Sequence, residues 1–347
     1  MSNVEKLNES TNGLTQSTVQ MLEFHNGLGM AHILSVIAEI GVADQVTDGP
    51  LGVDELAKRT GTNADVLYRV LRAVASKGVF TEVLPRTFGL TPLAATLRSD
   101  VDGSMRDLFR LQGQPCMQDI YAAIGHSVRT GEPAFEHVHG TTLFSYLTDR
   151  PELSKLFSSA MGNIARQIQR PAIDAYDLSG VQRLIDIGGA HGHLVAAILS
   201  RYPEMKGVVF DLPNVVPGAV NVLTEAGVAD RAEMVGGDYL RAVPAQGDAY
   251  TISHVLHQVS DAEAVTVLTN IRKVMDPVGR VLVIDPVIPE GDLPHPGKFM
   301  DITMLMLTQG RDRTEAELAG LFEQAGLRHV ETVASSAPSS VVVAMAA

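Results

Sequence analysis

Residues 183–213, with the sequence RLIDIGGAHGHLVAAILSRYPEMKGVVFDLP, constrain the fold more than any other stretch of the chain. Residues 183–187 are an apolar run of strand length, a glycine-rich turn follows at once, and apolar residues at helical spacing lead to a second strand at residues 208–210. Gly188 and Gly192 lack a Cβ, so the backbone can bend tightly and a ligand can lie against it. The stretch therefore predicts the opening strand, helix and strand of a nucleoside-binding domain.

The spacing of the glycines separates two classes of cofactor. A dinucleotide-binding turn has the pattern GxGxxG, but Ala190 and His193 stand where its second and third glycines would be. The pattern DxGxGxG fits better, because Asp186, Gly188 and Gly192 are in place and only Ala190 replaces a glycine. That pattern is typical of sites for S-adenosylmethionine (SAM), which has no pyrophosphate to cradle. The alternative is a glycine turn that only packs a helix on a sheet.

Acidic residues follow two of the other predicted strands. Asp211 ends the second strand, where a carboxylate can accept two hydrogen bonds from a ribose diol. Asp238 and Tyr239, in the sequence GGDYL, follow the third strand, where a carboxylate can accept from an adenine amino group and an aromatic ring can cover the base. The alternative for this pair is a turn aspartate beside a packed tyrosine.

The composition limits the class of protein. A chain of 347 residues with 45% hydrophobic and 19% charged residues is long enough for two soluble domains with buried cores. Its net charge of -13 argues against a nucleic-acid partner and against an anionic membrane. The single cysteine, Cys116, cannot form an internal disulfide and is expected to be a small buried apolar residue. Because no signal peptide or apolar span is visible, we expect a cytoplasmic protein.

The N-terminal part is predicted to be mainly helical. Residues 1–13 are polar and expected to be mobile, and residues 14–42 show helical spacing of apolar side chains. Two helices separated by Gly61, followed by a hairpin at residues 79–90, give a winged-helix layout. This layout suggests a transcription regulator as an alternative function. However, the second helix is too apolar to enter the major groove of DNA. Three more helices are predicted at residues 105–111, 119–129 and 151–175.

Beyond residue 213 strand and helix patterns alternate, which predicts an α/β fold with a doubly wound, Rossmann-like sheet. Ser260 with Glu263, and Thr314 with Glu317, match the capping-box pattern and mark where two helices begin. The last two strands are joined by SSAPSS and should form an antiparallel hairpin at the sheet edge. The predicted strands are residues 232–235, 249–253, 280–285, 328–334 and 341–345, and the predicted helices are residues 215–226, 261–275 and 315–324.

Two histidines in SHVLHQVSD follow the fourth strand. His254 and His257 precede the capping box, so at least one of them should point into the crevice at the strand ends, where a histidine can take a proton from a hydroxyl. The alternatives are a metal pair and a structural histidine. We predict no metal centre here, nor at His191 and His193, because no cluster of carboxylates or cysteines completes a zinc site.

Two aspartates are candidates to support such a histidine. Asp285 ends the fifth strand and Asp312 lies in the turn GRDRT, and the topology places both near the crevice. Either could accept the second N–H of the histidine and set its tautomer. The alternative is that Arg311 and Arg313 neutralise Asp312 in a surface ion pair. An apolar stripe at helical spacing could belong to the core or line a pocket for a flat aromatic ligand: Met300, Met304, Leu307 and Thr308.

Together these motifs resemble those of the SAM-dependent O-methyltransferases that include the plant caffeic-acid enzyme and bacterial enzymes acting on anthracyclines and phenazines. The resemblance rests on DIGGAHG, VFDLP, GGDYL, VLH and GRDRTEAEL in that order, and it covers nearly all of the chain from residue 14. It implies a homodimer, SAM as cofactor and a small aromatic acceptor. It also implies an N-terminal helical dimerisation and winged-helix domain (residues 1–100), a helical linker that contributes to the substrate pocket (101–178) and a Rossmann-like catalytic domain (179–347).

The resemblance also implies roles for individual residues. Gly188 and Asp211 would hold the methionine and ribose ends of SAM, Asp238 and Tyr239 would hold the adenine, and His257 would be the general base. Asp285 and Asp312 would be the two acidic residues that flank this base. The further cofactor contacts would be Asp186, Gly192, Leu212 and Ser253. The substrate-pocket positions would be Phe157, Met161, Met300, Met304 and Thr308.

The chain departs from the family pattern at several positions. Both flanking acids are aspartates where plant members carry glutamates, which shortens their reach to His257. Gln258 and Val259 replace the usual Asp-Trp after the base, and Ala190 replaces the middle glycine. Some relatives bind SAM and catalyse decarboxylation, hydroxylation or pericyclic steps, so an enzyme of that kind is the alternative. The presence of His257 favours methyl transfer over these steps. We expect the methyl group to go to a hydroxyl, with a nitrogen as the alternative, of an aromatic or polyketide-like small molecule.

Overall fold

The computed structural model describes residues 15–347, so the mobile segment expected at residues 1–13 lies outside the described residues. The chain forms two compact units. One consists of the chain up to Gln118 together with Lys155–Ala160, and the other consists of Asp119–Ser154 and Met161–Ala347. Within the described part of the chain, no helix combines the length and the apolar character needed to cross a membrane.

The first unit is built mainly from helices. Helix α1 (Gln16–Ile40) is capped at its start by the side chain of Thr15 and ends at Gly41, whose φ of 68° is left-handed. The elements that follow are α2 (Val42–Gln45), β1 (Leu51–Gly52), α3 (Val53–Thr60), α4 (Ala64–Ala75), β2 (Thr81–Leu84), β3 (Thr87–Gly89), α5 (Pro92–Ala95) and α6 (Arg106–Gln112). The pair α3 and α4 turns at Gly61, and β3 lies between β1 and β2 in an antiparallel sheet. The predicted helix pair and hairpin are therefore present.

A run of short helices and one long helix precedes the large sheet. They are α7 (Pro115–Ala122), α8 (Ile124–Thr130), α9 (Ala134–His139), α10 (Leu143–Thr148) and α11 (Pro151–Asp174). The helix predicted over residues 119–129 is wrong as a single element, because the backbone leaves helical geometry at Ala123, where no glycine or proline marks a break. Helices α9 and α10 were not predicted, since six residues are too few to display a helical period.

The remaining part of the second unit alternates strands and helices. Its strands are β4 (Arg183–Ile187), β5 (Lys206–Asp211), β6 (Ala232–Gly236), β7 (Ala249–Ser253), β8 (Arg280–Pro286), β9 (Leu327–Val333) and β10 (Ser339–Ala346). Its α-helices are α12 (His193–Arg201), α13 (Ala219–Glu225), α14 (Asp261–Val274), α15 (Gly297–Leu307) and α16 (Glu315–Gln324). The region predicted as a helix from residue 215 begins as a short 3₁₀ turn at Val216–Gly218. Both predicted capping boxes are present at the starts of α14 and α16.

The sheet has seven strands in the order β6-β5-β4-β7-β8-β10-β9. The first five are parallel neighbours, whereas β10 runs antiparallel to β8 and to β9. The C-terminal hairpin therefore lies at the edge of the sheet, as predicted. Both faces of the sheet are covered, because Ile185 and Val283 belong to one buried cluster and Leu184 and Leu282 to another. The doubly wound, Rossmann-like fold class is confirmed.

Candidate active site

The parallel strands bring the predicted site residues to one edge of the sheet. Asp211 is the last residue of β5, Ser253 is the last residue of β7, and Asp285 lies next to the end of β8. Because β5, β4, β7 and β8 run in the same direction, their carboxyl ends lie at the same edge. Ligands of such sheets bind outside the carboxyl ends of the strands. The structure therefore places these polar groups where the fold class binds its ligands.

The glycine-rich turn after β4 has a strongly curved backbone. The φ angles of Gly188, Ala190 and Gly192 are 71°, 45° and 75°, all in the left-handed region. A Cβ on Gly188 would lie 2.5 Å from the side chain of Val255, so a larger residue would clash at this position. A Cβ on Gly192 would meet Val209 at 3.1 Å, so this glycine also allows α12 to pack closely on β5. Ala190 adopts a conformation that favours glycine, which agrees with its place in the motif.

Asp186 is buried under this turn. Its carboxylate accepts a hydrogen bond of 2.8 Å from the hydroxyl of Thr251 on the neighbouring strand β7, and only 2% of the residue is exposed. Burial raises the pKa of Asp186 to about 7, and the negative charge of Asp211 adds to the effect. A Cβ on Gly189 would lie 2.8 Å from an Asp186 oxygen. Asp186 therefore lies directly beneath the turn backbone.

Asp211 connects the ends of β4 and β5. One of its carboxylate oxygens accepts from the backbone N–H of Ala190 at 2.8 Å, and the other accepts from the N–H of Leu212 at 2.7 Å. Burial raises the pKa of Asp211, and these two hydrogen bonds oppose the shift. Each carboxylate oxygen has a second lone pair, so a hydroxyl pair could still be accepted. Leu212 is 46% exposed beside this carboxylate.

Asp238 and Tyr239 follow β6 at the same edge of the sheet. Asp238 accepts a hydrogen bond from the N–H of Leu240 and forms an ion pair with Arg241. Burial raises the pKa of Tyr239 to about 12, and the charge of Asp211 contributes further, so the phenol stays protonated. The segment is held by Asn270, which donates to the carbonyl oxygens of Tyr239 and Leu240.

A buried hydroxyl at the end of β7 supports a polar ligand in this region. Ser253 is 8% exposed, and its hydroxyl oxygen has no hydrogen-bond partner. A buried polar group without a partner is costly, and a ligand can satisfy it. The carboxylate of Asp211, the phenol of Tyr239 and this hydroxyl offer both acceptors and donors. The residues present therefore fit a nucleoside that carries an amino acid.

The two residues predicted as base and supporting acid are in contact. His257 lies in a short 3₁₀ turn, Leu256–Gln258, that follows β7. Its Nδ1 is 3.1 Å from Oδ1 of Asp312, with the two side chains 7% and 0% exposed. With Nδ1–H donating to Asp312, the neutral form of the imidazole keeps Nε2 as an acceptor. The sequence-based expectation that an aspartate sets the tautomer of this histidine agrees with this contact.

Asp285 also lies close to His257, with one of its oxygens within 4.8 Å of a ring nitrogen of the histidine. Burial opposes protonation of His257 most strongly, but the charges of Asp285 and Asp312 overcome it and raise the pKa of the imidazole above its usual value. Burial also raises the pKa of Asp285 to about 7, although the nearby imidazole acts in the opposite direction. One oxygen of Asp285 and one of Asp312 are buried without a hydrogen-bond partner. The protonation states of His257, Asp285 and Asp312 are therefore coupled.

Residues after α15 hold the turn that carries His257. The guanidinium of Arg313 donates to the carbonyl oxygens of Leu256 at 2.7 Å and Val259 at 3.0 Å, and it pairs with Asp261. A Cβ on Gly310 would lie 2.0 Å from the carbonyl oxygen of His257, so only glycine fits there. Neither of these supporting roles was predicted, since both depend on a contact between distant parts of the chain.

The alternative of a surface ion pair at Asp312 is wrong. Asp312 is 1% exposed and contacts His257, whereas Arg311 pairs with Glu317 and Arg313 pairs with Asp261. The backbone N–H of Asp312 donates to Asp301 on α15 at 3.0 Å. The loop is therefore folded inward, and both Asp312 and Arg313 are buried.

The predicted substrate-pocket residues are distributed over both units. Met300 and Met304 lie one helical turn apart on α15, with Met304 8% exposed, and Thr308 caps the end of this helix. The hydroxyl of Thr308 donates to the carbonyl of Met304 and accepts from the N–H of Gly310. Met161 is 37% exposed and belongs to the second unit, whereas Phe157 belongs to the first. The structure brings together the members on α15.

His254 is the other histidine of the segment. It follows β7 with a left-handed φ of 53°, and one of its ring nitrogens is 3.1 Å from the hydroxyl of Ser339. Burial lowers the pKa of His254 to about 3, with the imidazole of His257 acting in the same direction. The two imidazole rings are 5.2 Å apart in an edge-to-face arrangement. His254 is therefore neutral near pH 7.

Sequence comparisons identify two known domains in the chain. An O-methyltransferase domain matches residues 121–328, and an O-methyltransferase dimerisation domain matches residues 22–100. A phenazine O-methyltransferase, PhzM, from Lysobacter antibioticus is 41% identical over 324 residues, which covers 93% of this chain and 95% of the relative.

Solved structures show the same likeness over the whole chain. The crystal structure of LaPhzM has a TM-score of 0.90 at 40% identity and covers 96% of this chain and 100% of that one. CalO1, a methyltransferase of calicheamicin biosynthesis in its S-adenosylhomocysteine-bound form, has a TM-score of 0.85 at 35% identity, covering 96% and 98%. The motifs, the sheet and these matches agree: the chain belongs to the family of SAM-dependent O-methyltransferases that carry a dimerisation domain.

Proposed function

We propose that this enzyme methylates a hydroxyl group of an aromatic or polyketide-like small molecule, of the phenazine or anthracycline type, with His257 as the general base. The observation that carries the proposal is the contact of 3.1 Å between His257 and Asp312 at the carboxyl end of the sheet. The likeness to a phenazine O-methyltransferase supports the class of acceptor.

The chain's own residues account for the movement of the proton. Asp312 accepts a hydrogen bond from Nδ1–H of His257, which leaves Nε2 to receive the proton of the acceptor hydroxyl. The buried charge of Asp285 stabilises the imidazolium that results. The oxygen that loses its proton becomes a better nucleophile. Proton transfer by a positioned side chain typically accelerates a reaction by about 10²- to 10⁴-fold.

The cofactor would be held by the residues around the glycine-rich turn. When bound, SAM supplies a methyl group made electrophilic by its positively charged sulfur. Asp211 would accept the ribose hydroxyls, and Asp238 and Tyr239 would bind the adenine. Gly188 would hold the methionine end, and the further cofactor contacts would come from Asp186, Gly192, Leu212 and Ser253. Holding the reacting atoms in line is expected to supply much of the acceleration.

The acceptor would lie against α15. Met300 and Met304 occupy one face of that helix, and the polarisable thioether of methionine suits the face of a flat aromatic ring. Thr308 would supply a hydroxyl at the end of the same face, and Met161, which belongs to the same unit as α15, is proposed to complete the pocket. The role of Phe157, which belongs to the other unit, stays a prediction from the family resemblance. This arrangement favours a planar acceptor over a flexible one.

An acceptor panel tests this function. The enzyme is incubated with SAM and with hydroxyphenazines, hydroxyanthraquinones and simple phenols, and S-adenosylhomocysteine is measured together with the mass of the methylated product. We expect turnover with at least one polycyclic phenol and a product that is heavier than the acceptor by one CH₂ group. Firm SAM binding without S-adenosylhomocysteine from any acceptor would instead favour a non-methylating enzyme of the same fold.

We further propose that the enzyme is a cytoplasmic homodimer. The match to a dimerisation domain over residues 22–100 supports the dimer, and α1 exposes large apolar side chains, including Met21, Phe24 and Leu28. The helix pair and hairpin in this region would form a winged helix used for assembly rather than for DNA. The division into residues 1–100, 101–178 and 179–347 remains part of this proposal. Sedimentation at micromolar concentration should give the mass of a dimer.

A further inference from the structure

A third side chain completes a set of metal-binding groups around the two histidines of the segment HVLH. One potential ligand atom each from His254, His257 and Asp285 lies within 4.8 Å of the other two. The sequence favoured no metal centre here because the pattern HxxH lacks a carboxylate, but β8 runs parallel to β7, and this pairing brings Asp285 beside the histidines. Two imidazoles and one carboxylate form a common ligand set for divalent transition metals.

Each of the two imidazoles is held by a second group through one ring nitrogen. Nδ1 of His257 is 3.1 Å from Asp312, and Nε2 of His254 is 3.1 Å from the hydroxyl of Ser339. Nε2 of His257 and Nδ1 of His254 therefore remain as the ring nitrogens that could bind an ion. Histidines that bind metals nearly always have such an outer partner on the other nitrogen, because it fixes the orientation of the ring.

The carboxylate and the surrounding charges also suit a cation. Asp285 is 3% exposed, and its Oδ1 is buried without a hydrogen-bond partner. The charges of two neighbouring residues act on the pKa of His257 in opposite directions, since Asp312 raises it and Arg313 lowers it. Arg313 is itself paired with Asp261, which offsets part of its charge. The cluster therefore offers a carboxylate oxygen without a hydrogen-bond partner next to two imidazoles, and these groups bind a metal in their deprotonated forms.

We propose that His254, His257 and Asp285 form a binding site for a divalent transition metal such as Zn²⁺, and that an ion bound there reversibly inhibits the enzyme. The inhibition rests on the proposed function, since the metal would take the Nε2 lone pair that His257 uses as a base. Ligand atoms of a tetrahedral zinc site are separated by roughly 3.3 Å, given Zn–N distances of about 2.0 Å. The three groups must therefore come slightly closer to one another when the ion binds.

Cobalt binding tests the site without relying on activity. Tag-free enzyme is titrated with Co²⁺, and the visible ligand-field absorption, which is strong for four-coordinate cobalt, is recorded before and after Zn²⁺ is added. We expect a saturable spectrum that Zn²⁺ removes, with affinity at least about tenfold weaker in H254Q and D285N, because each lacks one ligand. The control is H329Q, which removes a histidine on the edge strand β9, and it should bind like the parent.

Two further measurements distinguish a misfolded variant, a missing metal site and a metal that does not inhibit. Thermal unfolding by circular dichroism shows whether H254Q and D285N are folded, and a folded form of either one suffices for the test. Equal cobalt spectra in the parent and in a folded variant would overturn the metal site. Zn²⁺ should reduce turnover of the parent and of H329Q, measured as the ratio with and without metal, and reduce that of H254Q much less. Site-dependent binding without inhibition would overturn the inhibitory role and contradict His257 as the base.

Discussion

His257 and Asp312 lie on separate loops, yet Nδ1 of the histidine is 3.1 Å from Oδ1 of the aspartate. His257 follows β7, and Asp312 follows α15, so the contact depends on the packing of the second loop against the first. Both side chains are buried, and water competes little for this hydrogen bond. The contact sets the tautomer of the imidazole and makes Nε2 the acceptor of the substrate proton in the proposed mechanism.

His257→Gln should lower kcat by roughly 10²- to 10⁴-fold, the usual contribution of a general base. The affinity for SAM should stay nearly unchanged, because the base contacts the acceptor rather than the cofactor. Initial-rate assays measure kcat, and calorimetry measures the affinity for SAM. Turnover equal to that of the parent would remove His257 from the mechanism.

Asp312→Asn should shift the acidic limb of the pH–rate profile to lower pH. The Asp312 carboxylate helps to raise the pKa of His257, so its loss makes the imidazole deprotonate at lower pH. Because a general base acts when deprotonated, activity would persist further into the acid range, at a lower maximum rate since an amide holds Nδ1–H less firmly. The exposed Glu323→Gln should keep the profile of the parent. An unshifted limb would show that Asp312 does not act on the base.

Asp211→Asn should weaken SAM binding by roughly 10- to 100-fold, since hydrogen bonds to a charged group contribute about 1.5–3 kcal/mol. The carboxylate accepts from two backbone N–H groups, and an amide can replace only one of its oxygens. Calorimetric titration with SAM measures the effect, and the exposed Asp230→Asn serves as the matched control. Parent-like affinity would exclude Asp211 from the cofactor site.

Gly310→Ala should displace the turn that carries His257. The added Cβ would lie 2.0 Å from the His257 carbonyl oxygen, so the backbone must move, and a shift of about 1 Å can cost roughly 10²-fold in rate. Overpacking of this kind also destabilises by about 1–3 kcal/mol. Gly320→Ala is the control, because that glycine lies inside α16 with open space around it and should gain about 0.5–1 kcal/mol of stability. Full activity in Gly310→Ala would contradict the close packing.

Asp186→Asn should make the unfolding temperature less sensitive to pH. Burial raises the pKa of Asp186 from 3.8 to about 7, so the folded protein holds this proton more tightly than the unfolded chain does. The parent therefore loses stability as the pH rises from 3.8 through about 7, whereas an amide has no such penalty. Unfolding temperatures at pH 5 and pH 8 should differ less in the variant. An equal pH dependence in both proteins would show that Asp186 ionises without cost.

The local sequence determined the elements and the class of cofactor. The strand over residues 183–187, the glycine turn and the capping boxes at Ser260 and Thr314 depend on residues close together in the chain, and the structure contains each of them. The parallel order of the strands then placed Asp211 and Asp285 at one edge of the sheet. Short-range periodicity and capping carry this information because they arise from the geometry of the backbone itself.

Only the tertiary structure decided how the proposed catalytic residues are supported. The contact of Gly310 with the His257 carbonyl, the hydrogen bonds from Arg313 to the turn, and the approach of Asp285 to His254 all join segments distant in sequence. No local pattern marks these contacts. The helix or strand propensity of a residue is the same whether its distant partner is a carbonyl, a carboxylate or water. The break at Ala123 belongs to the same category, since neither glycine nor proline signals it. Nearby residues determined the helices and strands, whereas packing between distant segments determined which side chains are in contact.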